Sequence, residues 1–264
     1  MDNRAIGVFD SGLGGLTAVR RLQEIMPQER IIYFGDTGRV PYGTRGRDII
    51  IKYARQDVAF LRQFDLKAII VACNTVSSVA LDLLGEENDI PIIGTVEPAC
   101  RRALRETKNG RIGVIGTAAT VRSGAYERRL TAERSPLALT VCACPLFVPL
   151  VENGRVSRGD VVIETVVREY LTPLREAGVD TLILGCTHYP LLADVIGDFM
   201  QGVTLIDSGA EAANAARAQV EQGAGPGGTQ YFVSDDPQGF TQLAGLFLQQ
   251  PAAGEAELVE ISRY

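Results

Sequence analysis

The chain has 264 residues, 46% of them hydrophobic and 22% charged, with 28 Gly and 12 Pro; this composition excludes disorder and leaves room for one large domain or two compact ones. Its formal charge of -6 argues against a nucleic-acid-binding surface and for small-molecule partners, although 23 Arg against 3 Lys can still form a local basic patch. The longest charge-free stretches, Ser135–Val151 and Pro237–Gly254, are interrupted by Pro145 and Pro149 in the first and carry four Gln in the second, so neither reads as a membrane span.

The chain opens Met1-Asp2-Asn3-Arg4 and moves directly into Ala5–Asp10, with no basic segment or long apolar stretch first, so a cytoplasmic protein is expected. The apolar run Ala5–Phe9 ends at Asp10-Ser11 and a Gly-rich turn, after which Leu16, Val19, Leu22 and Met26 recur at helical spacing until Pro27. This is strand, turn, helix. The same order returns in Ile31–Phe34, in Lys67–Ala72 followed by Ser77–Leu84, and in Pro91–Val96 followed by a helix through Cys100–Thr107, which Asn109-Gly110 closes. Next come Ile112–Ile115 with its helix, a strand Leu137–Phe147, a helix around Val161–Ala177, a strand Thr181–Leu184, a helix from Pro190 and a strand Val203–Ile206. The alternation predicts α/β layers with mainly parallel strands. Gly223–Gly228 reads as a flexible loop, and beyond it a strand at Tyr231–Ser234 and a helix at Phe240–Leu248 belong to a domain that the pattern leaves open.

Two stretches repeat. Val71-Ala72-Cys73-Asn74-Thr75 and Leu184-Gly185-Cys186-Thr187-His188 each end a strand, and Gly7-Val8-Phe9 and Gly113-Val114-Ile115 each open a half, at nearly equal offsets. The fold class expected is therefore α/β, with two similar doubly wound, mainly parallel-sheet domains related by pseudo-twofold symmetry and the active site between them, at the carboxyl ends of the strands.

The five cysteines, Cys73, Cys100, Cys142, Cys144 and Cys186, are an odd number in a long chain, which disfavours a disulfide scaffold. A single histidine removes most zinc sites: Cys142-x-Cys144 lacks a second pair, and the alternating run Leu137–Val148 places both thiols on one face of a core strand. No metal is expected. The Gly12-Leu13-Gly14-Gly15 turn invites a dinucleotide reading with Asp36 as the ribose acid, but the spacing fails, because Thr17 occupies the last glycine position and Asp10 would repel pyrophosphate. A bare tight turn, or a site where Asp10 and Ser11 face a small polar ligand, remains.

Each half presents a cysteine at a strand tip, followed by hydroxyl or amide side chains and a helix. A helix N-terminus favours thiolate, and lowering a thiol pKa from about 8.5 to about 7 takes only ~2 kcal/mol. The same N–H groups, with Asn74, Thr75 and Thr187, suit a substrate carboxylate. The plain alternative is buried structural cysteine, which two matched positions make less apt. A Cys186–His188 nucleophile pair would leave Cys73 unexplained. Two opposed thiols suit stereoinversion at a carbon acid, where one removes a proton from one face and the other supplies a proton to the opposite face. Pyridoxal phosphate is disfavoured, since Lys52, Lys67 and Lys108 fall at no strand tip.

These residues resemble the cofactor-independent glutamate racemases of the aspartate/glutamate racemase superfamily. The likeness rests on Phe9–Leu16, Gly35-Asp36-Thr37 with Val40-Pro41-Tyr42-Gly43, Ala72–Thr75, Gly113–Thr117, Pro149–Glu152, Leu184–Leu192 and Ile206–Gly209. It runs from residue 7 to about 210, with a weaker trace near Phe232–Pro237; Val76 and Gly38 stand where Ala is commoner. The resemblance implies interconversion of L-glutamate and D-glutamate for peptidoglycan, no cofactor, and Cys73 and Cys186 as the acid/base pair, with Asp10 supporting Cys73 and Glu152 and His188 supporting Cys186. It places Asp10, Ser11, Pro41, Tyr42, Gly43, Asn74, Thr75, Thr117, Thr120, Thr187 and His188 around the substrate. It also implies a first domain of 1–97 plus 209–264, a second of 98–208, and a homodimer. The rivals are a racemase of aspartate or another small amino acid from the same superfamily, and an amino-acid-binding protein with inert thiols. Singly, Asp10 and His188 also read as helix caps and Glu152 as a solvated loop acid.

Overall fold

The strands β1 (Ala5–Asp10), β2 (Arg30–Gly35), β3 (Leu66–Val71) and β4 (Ile92–Ile93) alternate with helices α1 (Leu16–Ile25), α2 (Arg47–Leu61), α3 (Asn74–Val79) and α4 (Leu81–Glu86), and α5 (Val96–Glu106) leads into the second half. There β5 (Arg111–Gly116), β6 (Ala138–Ala143), β7 (Thr181–Gly185) and β8 (Thr204–Asp207) alternate with α6 (Ala118–Ser123), α7 (Ala125–Glu133), α8 (Phe147–Glu152), α9 (Val161–Glu176) and α10 (Ala193–Phe199). Then follow α11 (Ser208–Gln219), β9 (Gly228–Val233), α12 (Pro237–Leu248) and β10 (Ala256–Leu258). This computed structural model describes residues 1–134, 136–252 and 254–264; Ser135 and Ala253, one in each charge-free stretch, lie outside the described residues.

Among the described residues all pairings are parallel, in two sheets ordered β10-β9-β2-β1-β3-β4 and β6-β5-β7-β8. Numbered within its own half, each sheet carries the same order, 2-1-3-4, which is the repeat read in the sequence; the first sheet is extended beyond β2 by β9 and β10. β1 and β3 are buried along their whole length, as strands covered on both faces must be. Alternate residues serve opposite cores: Ile6 and Val8 pack with Leu16, Val19 and Leu22, whereas Ala5 and Phe9 pack with Ile50, Ala54 and Val58. In the second sheet Val114 and Ile183 meet α5 and α7, while Leu182 and Leu184 meet α9 and α10. Helices thus cover both faces of both sheets, as expected.

Several local expectations change. The strand at Leu137–Phe147 stops at Ala143, because Pro145 has no N–H for the ladder and Phe147 already begins α8. Cys144 therefore lies past the strand end, not on one strand face with Cys142. The strand at Pro91–Val96 shrinks to Ile92–Ile93, and the helix at Ser77–Leu84 is two helices broken at Ala80. Gly223–Gly228 is tied down: Gly223 N–H donates to Glu29 Oε1 at 2.7 Å and Ala224 N–H to Asn3 Oδ1 at 3.0 Å. Beneath that segment the buried Lys67 ammonium meets Glu29 at 2.6 Å and also donates to the Asp2 and Glu221 carbonyls. Among the described residues no helix is long and apolar enough to cross a membrane.

Candidate active site

In each sheet the strand order reverses between the first and third strands of the half, and crevices at such switch points receive ligands. The loops after β1 and β3 bring Ser11, Cys73, Asn74 and Thr75; those after β5 and β7 bring Thr117, Cys186, Thr187 and His188. They face one another across a cavity of about 340 Å³, which Pro41, Tyr42, Gly43 and Glu152 also line. Asp10 and Thr120, expected around the substrate, do not line it and stand behind its wall. Asp10 is fully buried and accepts from the Gly12 N–H at 3.0 Å and from Thr187 Oγ1 at 3.4 Å.

Both thiols open on this cavity and are almost fully buried, Cys73 at 4% and Cys186 at 6% exposure. Cys73 caps α3 and its thiol donates to Ser11 Oγ at 3.6 Å. Burial, and after it the charge of Asp10, push this thiol up to about 12. The expected thiolate is thus corrected: desolvation outweighs the N–H groups at the helix start. On the opposite wall His188 Nε2 lies 3.0 Å from Glu152 Oε1. Burial opposes a charge on His188, but hydrogen bonds to Cys186 and Glu152 outweigh it and raise the imidazole to about 10. These bonds favour the protonated imidazole beside Cys186. Burial likewise pushes the Asp10 carboxyl up, against the pull of His188.

Three threonine hydroxyls form a cluster across the two halves, with Thr75 and Thr117 3.0 Å apart, Thr117 and Thr120 3.0 Å, and Thr75 and Thr120 3.4 Å. Their rotatable donors suit a carboxylate. Asn74 is turned to other work: its amide oxygen accepts from Thr95 Oγ1 at 3.0 Å and Tyr126 Oη at 2.6 Å, and its nitrogen donates to Ser208 Oγ at 3.0 Å. The side chain staples the first sheet to the second half, and Asn74 also lines the cavity.

The Gly12–Gly15 turn has a steric cause. A Cβ on Gly14 would lie 2.1 Å from Thr187 Oγ1 and 2.7 Å from His188 Nδ1, so glycine lets the opposite loop dock. Asp36, the discarded ribose acid, is buried with Asp57; Arg39 bridges them at 2.6 and 2.9 Å and the Tyr42 hydroxyl lies between them, hydrogen-bonded to each. Burial, then the neighbouring Asp36, push Asp57 well above the carboxylate range. This cluster anchors the Pro41–Gly43 wall.

Cys144, Pro145, Val148 and Pro149 also line the cavity and were not read as site residues. Pro145 and Pro149, inside and just after the apolar run Leu137–Phe147, are the sequence signal for them. Among the described residues no three of His, Cys, Asp and Glu are grouped to hold a metal ion. Lys67 lies at the opposite end of its strand from Cys73, in the pair with Glu29.

The Asp/Glu/hydantoin racemase family model matches residues 16–216. The glutamate racemase of Geobacter metallireducens is 45% identical over 252 residues, covering 93% of each chain. Among solved structures, a glutamate racemase isoform of Bacillus anthracis superposes with a TM-score of 0.91 at 36% identity over 98% of each chain. The Francisella tularensis glutamate racemase in complex with D-glutamate gives 0.91 and 36% over 100% of each. The chain belongs to the Asp/Glu/hydantoin racemase family and, within it, to the glutamate racemases.

Proposed function

We propose that this isomerase interconverts L- and D-glutamate by a two-base reaction that needs no cofactor. The observation that carries the reading is the placement of Cys73 and Cys186 at the tips of equivalent strands, on one cavity. The α-hydrogens of the two enantiomers point to opposite sides of a shared frame, so a base on one wall reaches only one of them. Cys186 takes the α-proton of L-glutamate; the planar carbanion is held through its carboxylate by Thr75 and Thr117; the Cys73 thiol delivers its proton to the other face. The D-to-L direction runs in reverse. Glu152 and His188 serve Cys186 by keeping positive charge beside it, and Asp10 and Ser11 hold the Cys73 side. Thr187, Tyr42 and Gly43 complete the walls.

The same reading gives a first domain of 1–97 plus 209–264 and a second of 98–208, with the active site between them. Supporting it, β9 and β10 extend the first sheet, and α11 packs on α1 and on β3. A cytoplasmic homodimer supplying D-glutamate for peptidoglycan completes the proposal.

The test is incubation of dialysed, chelator-treated protein with L-glutamate or L-aspartate in deuterium oxide, followed by chiral and isotopic analysis. Early D-glutamate should carry deuterium while recovered L-glutamate stays largely unlabelled, and Cys73→Ala or Cys186→Ala should abolish turnover in both directions. Near wild-type turnover by either folded variant refutes the two-thiol reaction. A pocket shaped for one more methylene discriminates by only ~10–200-fold, so aspartate turnover is expected to be slow; kcat/KM for aspartate at or above that for glutamate overturns the substrate assignment.

A further inference from the structure

Among the described residues, twelve of the 23 arginines pair with a carboxylate within 4.0 Å. Among the described residues, four that do not, Arg45, Arg47, Arg122 and Arg128, line one cavity of about 300 Å³ that contains no acidic side chain. Arg45 directly follows the Tyr42–Thr44 turn and Arg47 opens α2, whereas Arg122 lies on α6 and Arg128 on α7, so the charges come from both halves of the chain. Two of the guanidinium groups are fixed by backbone carbonyls, Arg47 on Val79 at 3.2 Å and Arg128 on Ser123 at 2.6 Å. Ser78 lines the same cavity at 8% exposure, and its Oγ is buried with no hydrogen-bond partner.

Four like charges lining one cavity without a counter-charge repel one another. That cost falls if an oxyanion enters. Guanidinium forks match phosphate oxygens in pairs, and each charge-assisted hydrogen bond is stronger than a neutral one. We propose that this cavity is a binding site for a phosphate or diphosphate group, free or carried on a small metabolite, held between Arg45 and Arg47 on one side and Arg122 and Arg128 on the other. It is separate from the thiol cavity, and its occupant bridges the turn at Tyr42–Thr44 to α6.

Calorimetric titration of the full chain with inorganic pyrophosphate at low ionic strength tests it, with a sugar 1-phosphate as the esterified arm. One saturable site per chain is expected. Arg122→Gln and, independently, Arg47→Gln should each weaken it about tenfold, the loss of one charge-assisted contact. Arg168→Gln, which removes the same charge elsewhere, and Thr75→Val, which alters the thiol cavity, should leave it unchanged. Tighter binding of the sugar phosphate, lost in the same arginine variants, supports the site and identifies a carried phosphate as its occupant. Absence of saturable binding overturns the proposal, as does equal weakening by Arg168→Gln, which would leave only net charge, or loss in Thr75→Val, which would place the anion among the thiols.

Discussion

Gly14→Ala puts a single methyl group between the two halves of the site. The new Cβ would stand 2.1 Å from Thr187 Oγ1 and 2.7 Å from both Thr187 Cβ and His188 Nδ1. Rotating the threonine relieves the first contact but not the second, because Thr187 Cβ moves only with its backbone. The loop that follows Cys186 must therefore retreat by roughly 1 Å, a displacement that costs on the order of 10²-fold in rate when reacting groups are mispositioned. Overpacking of this kind also costs about 1–3 kcal/mol of stability, or roughly 2–12 °C in Tm for a chain of this size. L- and D-glutamate have equal free energy in water, so kcat/KM must fall by the same factor in both directions. The assay is kcat/KM from each enantiomer by circular dichroism, with a thermal melt of the same samples. Gly46→Ala is the control, because nothing lies within 4 Å of its added carbon. Wild-type kcat/KM together with wild-type Tm in Gly14→Ala would refute the account of the glycine turn as a docking surface for the Thr187–His188 loop.

Three further outcomes are expected. The folded His188 is raised to about 10 from 6.5, so stability from its protonated form is full below about pH 6.5 and lost as pH rises through about 10; Glu152→Gln, which removes one of the raising partners, should move the alkaline limb of kcat/KM to lower pH, and an unmoved limb counts against the pairing. Hydrogen bonding by the Cys144 thiol brings half-buried Cys142 down to about 7, while burial holds Cys73 near 12, so iodoacetamide at pH 7.5 should label Cys142 before Cys73 in peptide mapping; first labelling at Cys73 contradicts the desolvation argument. Lys67→Met strands Glu29 in a buried site where each partner side chain is only 2% exposed, which should lower stability by about 3–5 kcal/mol in urea unfolding, and a loss below about 1 kcal/mol would show that Glu29 is already solvated.

The repeat of strand-tip cysteines, the alternation of apolar runs with helical spacing, and the glycine turn were legible in the linear chain because they are local: a strand period, a helix period and a residue type at a chain reversal. They sufficed for two parallel sheets and for the thiols facing one cavity. Packing decided the rest. Nothing near Tyr231 or Ala256 says that β9 extends the first sheet beside β2; that depends on which edge was left open. Asn74 stands beside Cys73 in the linear chain, but only folding brings Tyr126, Thr95 and Ser208, all remote in sequence, to its amide oxygen and one N–H. Cys73 looks activated by its helix, yet the apolar and acidic neighbours brought around it by folding push its proton affinity the other way. Periodicity reports which way a side chain faces, but desolvation and hydrogen-bond competition depend on what comes to lie opposite, and that exists only once the two halves have closed on each other.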